Sequence, residues 1–198
     1  LDEVAGLVEW PVVLMGEINK KFANLPKEIL QVSMRSDQKF FSVTNGKEQK
    51  ISSYITVANN EASDGGKNIL YGNTKVLNAR LADAKFFWDK DISFIREAGI
   101  NEMAKKLERV TFHHKLGSQA ERVKRIMKLA KKIAIELKVD EAEAELAASI
   151  CKADLVSETV CEFPELQGVM GSYFAEEAGL SKNVSEACAT HYSPLGPN

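Results

Sequence analysis

The sequence predicts an α+β fold in which a mixed part of strands and helices is followed by an all-α part. Apolar runs of strand length occur in the first 60 residues. Asn45-Gly46, which tolerates positive φ, lies between two of these runs and is typical of a hairpin turn. From Asn73 onward the apolar residues recur with the period of a helix. We therefore expect no strand beyond residue 110.

The mixed part is predicted to contain two strand regions and one short helix. The apolar run 11–15 predicts a first strand, and the apolar spacing within 26–34 predicts a short helix. The runs 40–43 and 51–57 flank the Asn-Gly turn, so we expect them to pair as a β-hairpin. Ser, Asp and two glycines at 63–66 indicate a loop.

The all-α part begins with a helix from Asn73, whose apolar positions are spaced by four, three and three: Leu77, Leu81, Ala84 and Phe87. A second helical stripe follows at Ile100, Met103, Leu107 and Val110. The change of pattern predicts two domains, an α+β region over 1–100 and a helical domain over 101–198.

A long helix is predicted from Ser118 to Leu137, because Ser118 and Glu121 form an S-x-x-E capping box. We call it the basic helix. Its expected inward residues are Val123, Ile126, Met127, Ala130, Ile133, Ala134 and Leu137. Its expected outward residues are cations: Arg122, Lys124, Arg125, Lys128, Lys131 and Lys132.

Three further helix starts are predicted after the basic helix. Asp140 with Glu143 begins a helix with inward residues Leu146, Ala147, Ile150 and Cys151. Pro164 is suited to the first position of a helical turn. Ser181 is expected to cap a last short helix.

The charge is distributed unevenly along the chain. Net charge is 0 over residues 1–101, +7 over 102–138 and −9 over 139–198. This favours helices that pair their opposite charges, although the outward cations of the basic helix could instead contact nucleic-acid phosphates. With no aromatic residues among those cations, such contacts would be to the nucleic-acid backbone. Lys39 is a further candidate for contact with nucleic acid, because it stands beside Phe40 and Phe41 on a predicted strand. Paired phenylalanines, however, are more often part of a core.

Several classes of protein are excluded by composition and motif. The 198 residues contain no apolar stretch near the roughly 20 that a bilayer requires, so we expect a cytoplasmic protein without membrane contact. The three cysteines are expected to be reduced, buried thiols. Gly65-Gly66 lacks the pattern of a nucleotide-binding loop, and no catalytic residue is predicted. A start at Leu1 without methionine and an end at 194–198 suggest a piece of a longer chain.

The order of His114, Lys152 and Asp154 resembles the layout of an HD domain. In that family a first histidine and a later adjacent His-Asp pair hold a metal for phosphoester cleavage. Lys152-Ala153 replaces the His-Asp pair, and a protonated lysine cannot be a metal ligand. We therefore predict a degenerate HD-like domain that holds no metal. The alternative function is a stand-alone HD-type metal-dependent phosphohydrolase.

A series of motifs in one order resembles the β subunit of the bacterial tetrameric glycyl-tRNA synthetase. They are Glu3-Val4, Leu7 to Pro11, Pro26, Glu28, Leu30, Met34, Gln38-Lys39-Phe40, Gly72-Asn73, Val76, Ala79-Arg80-Leu81, Asp83-Ala84, Phe86-Phe87, Leu107, Val110, Phe112, Leu116-Gly117, Lys152 to Leu155, Glu162 to Gly168, Met170-Gly171, His191-Tyr192 and Pro194. Two departures are Asp37, where the family commonly has histidine, and Thr190, where an acidic residue is usual.

The resemblance implies a class II ligase made of two kinds of subunit in a heterotetramer. The α subunit would hold ATP, magnesium, glycine and the aminoacyl-adenylate, and the β subunit would engage tRNA(Gly). This chain would then be a central part of the β subunit, non-catalytic by itself and without a cofactor, comprising the end of an N-terminal region and the HD-like domain. The resemblance also strengthens the interpretation that the basic helix contacts phosphates. Pairing of its charge within the chain remains the alternative.

Overall fold

The structure, a computed structural model, describes residues 1–36, 38–44, 46 and 50–194. The chain forms two compact units, Leu1–Phe86 and Phe87–Asn198, divided within one long helix. Because compactness alone does not establish independent folding, the domain boundary near residue 100 stays a prediction. Among the described residues, no helix is both long and apolar enough to cross a bilayer.

The first unit is built on a three-stranded antiparallel sheet with the order β1-β3-β2, in which β1 is Val12–Glu17, β2 is Phe41–Thr44 and β3 is Ile51–Ala58. Phe41 and Met15 both lie opposite Ile55 on the central strand. The predicted first strand and the predicted pairing of the hairpin are confirmed. The Asn45-Gly46 turn includes Asn45, which lies outside the described residues.

The helices of the first unit are α1 (Asp2–Leu7), α2 (Lys27–Arg35) and the first part of α3 (Lys67–Ala98), with a 3-10 turn at Lys20–Phe22. The predicted helix over 26–34 is confirmed as α2. The helix expected from Asn73 begins earlier, because the Asp64 carboxylate accepts hydrogen bonds from the backbone N–H groups of Gly66 and Asn68, both at 2.9 Å. The predicted loop at 63–66 therefore ends in a helix cap.

The core of this unit centres on Tyr54, which is fully buried. Its ring stacks on Phe40 at 4.8 Å between centroids, and its hydroxyl lies 2.7 Å from the Thr74 hydroxyl. On β1, directly opposite Tyr54, stands Gly16. A Cβ at Gly16 would lie 2.5 Å from the Tyr54 ring, so this position admits no side chain without displacing the ring.

The second unit continues from α3 into short helices and 3-10 turns around one longer helix. The helices are α4 (Ile100–Lys105), α5 (Gln119–Leu137), α6 (Glu141–Ile150), α7 (Glu158–Glu162), α8 (Val169–Glu177) and α9 (Lys182–Thr190). The 3-10 turns are Lys106–Arg109, Ala153–Val156 and Pro164–Leu166. The α+β class is confirmed.

The expectation of no strand beyond residue 110 is wrong. A small hairpin pairs β4 (Thr111–His113) with β5 (Gly117–Ser118) before α5 begins. Threonine and phenylalanine favour extended backbone, and Gly117 returns the chain at a φ of 86°, which a helix cannot contain. The strands are too short to produce a visible period-two pattern.

The predicted helix starts in this unit are confirmed at atomic level. Ser118 and Glu121 make both hydrogen bonds of the capping box at the start of α5. The Asp140 carboxylate accepts from Ala142 and Glu143 N–H groups, both at 2.9 Å, and Ser181 caps α9. Pro164 opens a 3-10 turn.

One buried carboxylate joins α3 to α7. Asp91 accepts hydrogen bonds from the N–H of Glu158 at 3.0 Å, the N–H of Thr159 at 2.8 Å and the Thr159 hydroxyl at 2.7 Å. These N–H groups belong to the first turn of α7 and have no partner within that helix. Together with the N-cap Ser157, whose hydroxyl accepts from the Val160 N–H at 3.1 Å, Asp91 caps α7 and joins it to α3.

The cysteines only partly match the expectation of buried thiols. All three are free, and Cys151 and Cys188 are buried. Cys161 is exposed, because it lies on the outer side of the last turn of α7, whose buried residues are Thr159 and Val160.

Candidate functional site

The basic helix, α5, packs against α6 through a narrower stripe than its sequence predicts. Val123 and Ala134 are buried, whereas Ile133 is 48% and Leu137 is 68% exposed. On a helical projection Val123 and Ala134 mark the centre of the covered face, and Ile133 lies well to one side of it. The expected inward positions of Ile133 and Leu137 are therefore wrong.

Four of its six predicted outward cations form an exposed surface, which we call the basic face: Lys124, Arg125, Lys128 and Lys132. Arg125 also donates a hydrogen bond to the Leu116 carbonyl at 3.3 Å. Within the described part of the chain, none of the four lies at ion-pair distance from a carboxylate. The basic face therefore presents charge that no described residue neutralises by direct contact.

The other two cations of the helix have different surroundings. Lys131 lies 3.0 Å from the Glu145 carboxylate and 3.8 Å from that of Glu141, both on α6, and these contacts raise its pKa. Intramolecular pairing with the acidic segment thus accounts for one cation. Arg122 is half-buried with its guanidinium carbon 4.3 Å from the centroid of the Phe112 ring, so its predicted outward position is wrong.

Lys39 in the first unit does not lie on a strand. It precedes β2 with a φ of 55°, which interrupts extended backbone, and its ammonium lies 2.8 Å from Glu3. Phe40 is buried against Tyr54, in agreement with a core role. Lys39 borders a cavity of about 470 Å³ together with Arg35.

The degenerate HD-like residues differ in exposure to solvent: His114 lies at the surface, whereas Lys152 and Asp154 are buried. His114 is exposed beside His113 at the β4–β5 hairpin, with 4.4 Å between the ring centroids. Asp154 is fully buried, and its Oδ2 accepts hydrogen bonds from the Gly168 N–H at 2.5 Å and the Gly171 N–H at 3.1 Å. No described group of three or more His, Cys, Asp and Glu side chains is arranged to hold a metal.

Asp154 is thus a structural acceptor at the start of α8. Burial raises the pKa of its carboxyl, while the two backbone N–H groups oppose that shift. Its Oδ1 is buried and has no hydrogen-bond partner among the described residues. The carboxyl therefore holds the Gly168 turn and keeps one acceptor atom unused.

Lys152 is the buried centre of a cluster of polar side chains. Only 3% of its surface is exposed, and its ammonium nitrogen lies 3.4 Å from the centroid of the Tyr192 ring. Burial, the largest cause, together with nearby Arg122 lowers the pKa of Lys152 to about 8. We call Arg122, Lys152, Asp154, His191 and Tyr192 the Lys152 cluster.

His191 closes this cluster from the end of α9. Its Nδ1 lies 2.7 Å from the Cys188 carbonyl, so Nδ1 carries the proton, and burial lowers the pKa of the imidazole. Its Nε2 is buried with no hydrogen-bond partner among the described residues. The ring of Tyr192 lies 4.1 Å away between centroids. Sequence analysis did not name these two residues as site residues, although His191-Tyr192 was among the motifs that carry the family resemblance.

Known proteins match this chain over its whole length. A family model described as the glycyl-tRNA synthetase beta subunit matches residues 1–198. A protein named glycine–tRNA ligase beta subunit from Ruegeria sp. (strain TM1040) is 57% identical over 199 residues, which is 100% of this chain and 29% of the relative. Proteins of the same name are 56% identical in Cereibacter sphaeroides (strain ATCC 17029 / ATH 2.4.9) and 45% identical in Rhodospirillum centenum, each covering 100% of this chain and 28% of the relative. The chain therefore spans less than a third of the length of these relatives.

Proposed function

The chain belongs to the glycyl-tRNA synthetase beta-subunit family, and we propose that it works as part of a glycine–tRNA ligase, which attaches glycine to its tRNA in an ATP-dependent reaction. The observation that carries this proposal is the family match over residues 1–198, together with relatives that are 57% and 56% identical over the whole chain. A stand-alone HD-type metal-dependent phosphohydrolase is not supported, because these relatives are named as ligase subunits.

In this proposal the chain is non-catalytic by itself. An α subunit would hold ATP, magnesium, glycine and the adenylate in a class II active site, and two kinds of subunit would assemble as a cytoplasmic heterotetramer. Support comes from the beta-subunit name of the relatives, which presupposes a partner subunit. The contribution of this chain would be tRNA engagement or subunit scaffolding.

The basic face is the part of the chain best suited to engage tRNA. Its cations are exposed on one side of α5 and have no carboxylate at ion-pair distance among the described residues. Lysine and arginine that neutralise phosphates release condensed counterions, so each contact strengthens binding in a salt-dependent way. The lack of aromatic side chains between these cations favours backbone contacts without base selection.

The catalytic division of labour is tested by pyrophosphate exchange and tRNA charging. The complete β subunit alone is expected to do neither, and activity is expected on adding the α subunit. Exchange of pyrophosphate by the purified β subunit, free of α, would contradict the proposal. So would a complete tetramer that fails to charge tRNA(Gly) with glycine.

The role of the basic face is tested by reversing Arg125, Lys128 and Lys132 to glutamate in the complete enzyme. We leave Arg122 unchanged because it packs on Phe112. Loss of Z phosphate contacts is expected to flatten the dependence of log K for tRNA binding on log salt by about 0.7–0.9 Z. An unchanged salt slope with a lowered melting temperature would instead favour intramolecular pairing.

A charge-matched control separates local contacts from overall repulsion. Lys67, Lys75 and Lys182 are exposed lysines outside α5. Their reversal to glutamate changes the net charge by the same amount. We expect this control to weaken tRNA binding far less than the reversal of the basic face, and an equal loss would contradict a specific role for α5.

A further inference from the structure

The hairpin of β4 and β5 carries a pair of exposed aromatic rings. His113 and His114 lie where β4 ends and the turn begins, with 4.4 Å between their ring centroids and 35° between their planes. The N–H of Lys115 donates to Nδ1 of His113 at 3.2 Å, so the neutral ring carries its proton on Nε2 and is held in one orientation. The pair therefore presents ordered aromatic surface to solvent.

The turn of this hairpin is joined to the basic face by a direct contact. Arg125, one of the four cations of the basic face, donates through Nη1 to the Leu116 carbonyl at 3.3 Å. On β4 the Phe112 ring is held by the guanidinium of Arg122, and β5 leads directly into α5. These contacts give the ring pair a fixed place at the N-terminal end of the basic face.

The surroundings of the ring pair are positively charged. Residues 111–132 contain seven Lys and Arg side chains and a single carboxylate, that of Glu121. Glu121 is occupied at the start of α5, where its Oε2 accepts from the Ser118 N–H at 2.7 Å. Among the described residues, Lys131 is the only one of these seven cations at ion-pair distance from a carboxylate. The region therefore attracts a polyanion.

We propose that the hairpin stacks an unpaired base of RNA on the rings of His113 and His114 while the basic face binds the phosphates next to that base. This inference rests on the proposed function, which makes tRNA the source of the RNA. Histidine is among the side chains on which splayed-out RNA bases stack. The basic face spans positions 124–132, about 12 Å of helix at 1.5 Å per residue, which matches about three to four nucleotides at 3.4 Å each.

The helix and the hairpin supply different parts of the binding. The cations of α5 contact phosphates, which fix the position of the RNA and carry no information about its bases. A base within a duplex is covered on both faces by its neighbours, so only an unpaired or terminal base offers a face to the histidine rings. Stacking accepts any base, because every base has a π-face. The hairpin therefore adds a preference for RNA with an unpaired nucleotide, whatever its identity.

The test uses the complete enzyme and two RNA probes, a blunt stem and the same stem with one unpaired 2-aminopurine nucleotide at its 3′ end. Affinity is measured by fluorescence anisotropy, and stacking by quenching of the 2-aminopurine emission on binding to the wild type. Replacing both His113 and His114 with alanine is expected to weaken binding of the extended RNA about tenfold, to remove the quenching and to leave the affinity for the blunt stem unchanged. Replacing both with phenylalanine keeps the rings and is expected to keep affinity and quenching.

Tyr71→Ala is the matched control, because this aromatic side chain is 72% exposed in the first unit, and we expect it to behave as the wild type. Stacking involves no counterion release, so the double alanine variant is expected to keep the wild-type salt slope, which reversal of the basic face flattens.

Unchanged binding of the extended RNA by the double alanine variant would overturn the proposal. So would an equal loss for both RNAs, which would assign phosphate contacts to the histidines, or a loss in the phenylalanine variant, which would assign the effect to the imidazole nitrogens. Charging of tRNA(Gly) by the wild-type tetramer tests the proposed function separately, so the two failures are distinguishable.

Discussion

Replacing Lys152 with methionine should stabilise the second unit at neutral pH. Methionine keeps the length of an unbranched side chain and removes the charge. The folded state lowers the pKa of Lys152 from its usual 10.5 to about 8. At about 1.4 kcal/mol for each pKa unit, the protonated lysine costs the folded state roughly 3.5 kcal/mol. Losing the contact with Tyr192 offsets about 0.5–2 kcal/mol of this, so we expect a net gain of about 1.5–3 kcal/mol.

The sign of the pH dependence follows from linkage. Because the pKa of Lys152 is lower in the folded than in the unfolded chain, its cost is fully present below about pH 8. As the pH rises toward 10.5, the folded protein loses this proton before the unfolded chain does, and the cost disappears. The wild type should therefore gain free energy of unfolding relative to Lys152→Met across this window.

Denaturant unfolding followed by circular dichroism, at a series of pH values from about 7 to about 10.5, measures both effects. Lys182→Met is the control, because this lysine is exposed and should give the wild-type stability throughout. A less stable Lys152→Met protein at neutral pH would refute the reasoning. A stability difference that does not change with pH would refute it as well.

Substitutions at three further positions test contacts that lie within one or the other unit, and each is measured by thermal or denaturant unfolding. Asp91→Ala removes the acceptor of three hydrogen bonds and should cost about 3 kcal/mol, whereas Asp91→Asn keeps an acceptor oxygen and should cost less. Gly16→Ala should cost about 1–3 kcal/mol through overlap with the Tyr54 ring, whereas Gly6→Ala, with no atom within 4 Å of the new Cβ, should stabilise α1 by about 0.5–1 kcal/mol. Asp154→Asn should lower the free energy of unfolding less than Asp154→Ala. Because burial raises the folded-state pKa of Asp154 above 3.8, the wild type should lose stability relative to Asp154→Asn as the pH rises above about 3.8. Equal effects within any of these pairs would contradict the corresponding contact.

Local signals in the sequence predicted the features that depend on neighbouring residues. The capping box of α5, the cap at Asp140 and the pairing of β2 with β3 are each specified within about 15 residues. Caps and hairpins are short-range structures, so a pattern of residue types is sufficient to predict them. The start of α3 was missed although its cap is equally local: Asp64 accepts from the N–H of Asn68, but Gly65 and Gly66 between them indicate a loop.

Contacts between distant residues were harder to predict. An apolar period shows which side of α5 is apolar, but the part that becomes covered depends on α6, so Ile133 remained exposed. Arg122 shares helical spacing with the other cations and differs from them only through Phe112 in the hairpin. His191 and Tyr192 approach Lys152 from nearly 40 residues away, and no local pattern indicates such an approach.

The absence of a side chain at Gly16 also governs which strand alignments are possible during folding. A slip of one residue between β1 and β3 would turn the exposed residues Val13, Met15 and Glu17 toward the core, which would bury the Glu17 carboxylate. A slip of two would keep the faces but would bring Leu14 or Ile18 to the place where the Tyr54 ring lies against Gly16. Both alignments are costly, so Gly16 favours a single register of β1 on β3.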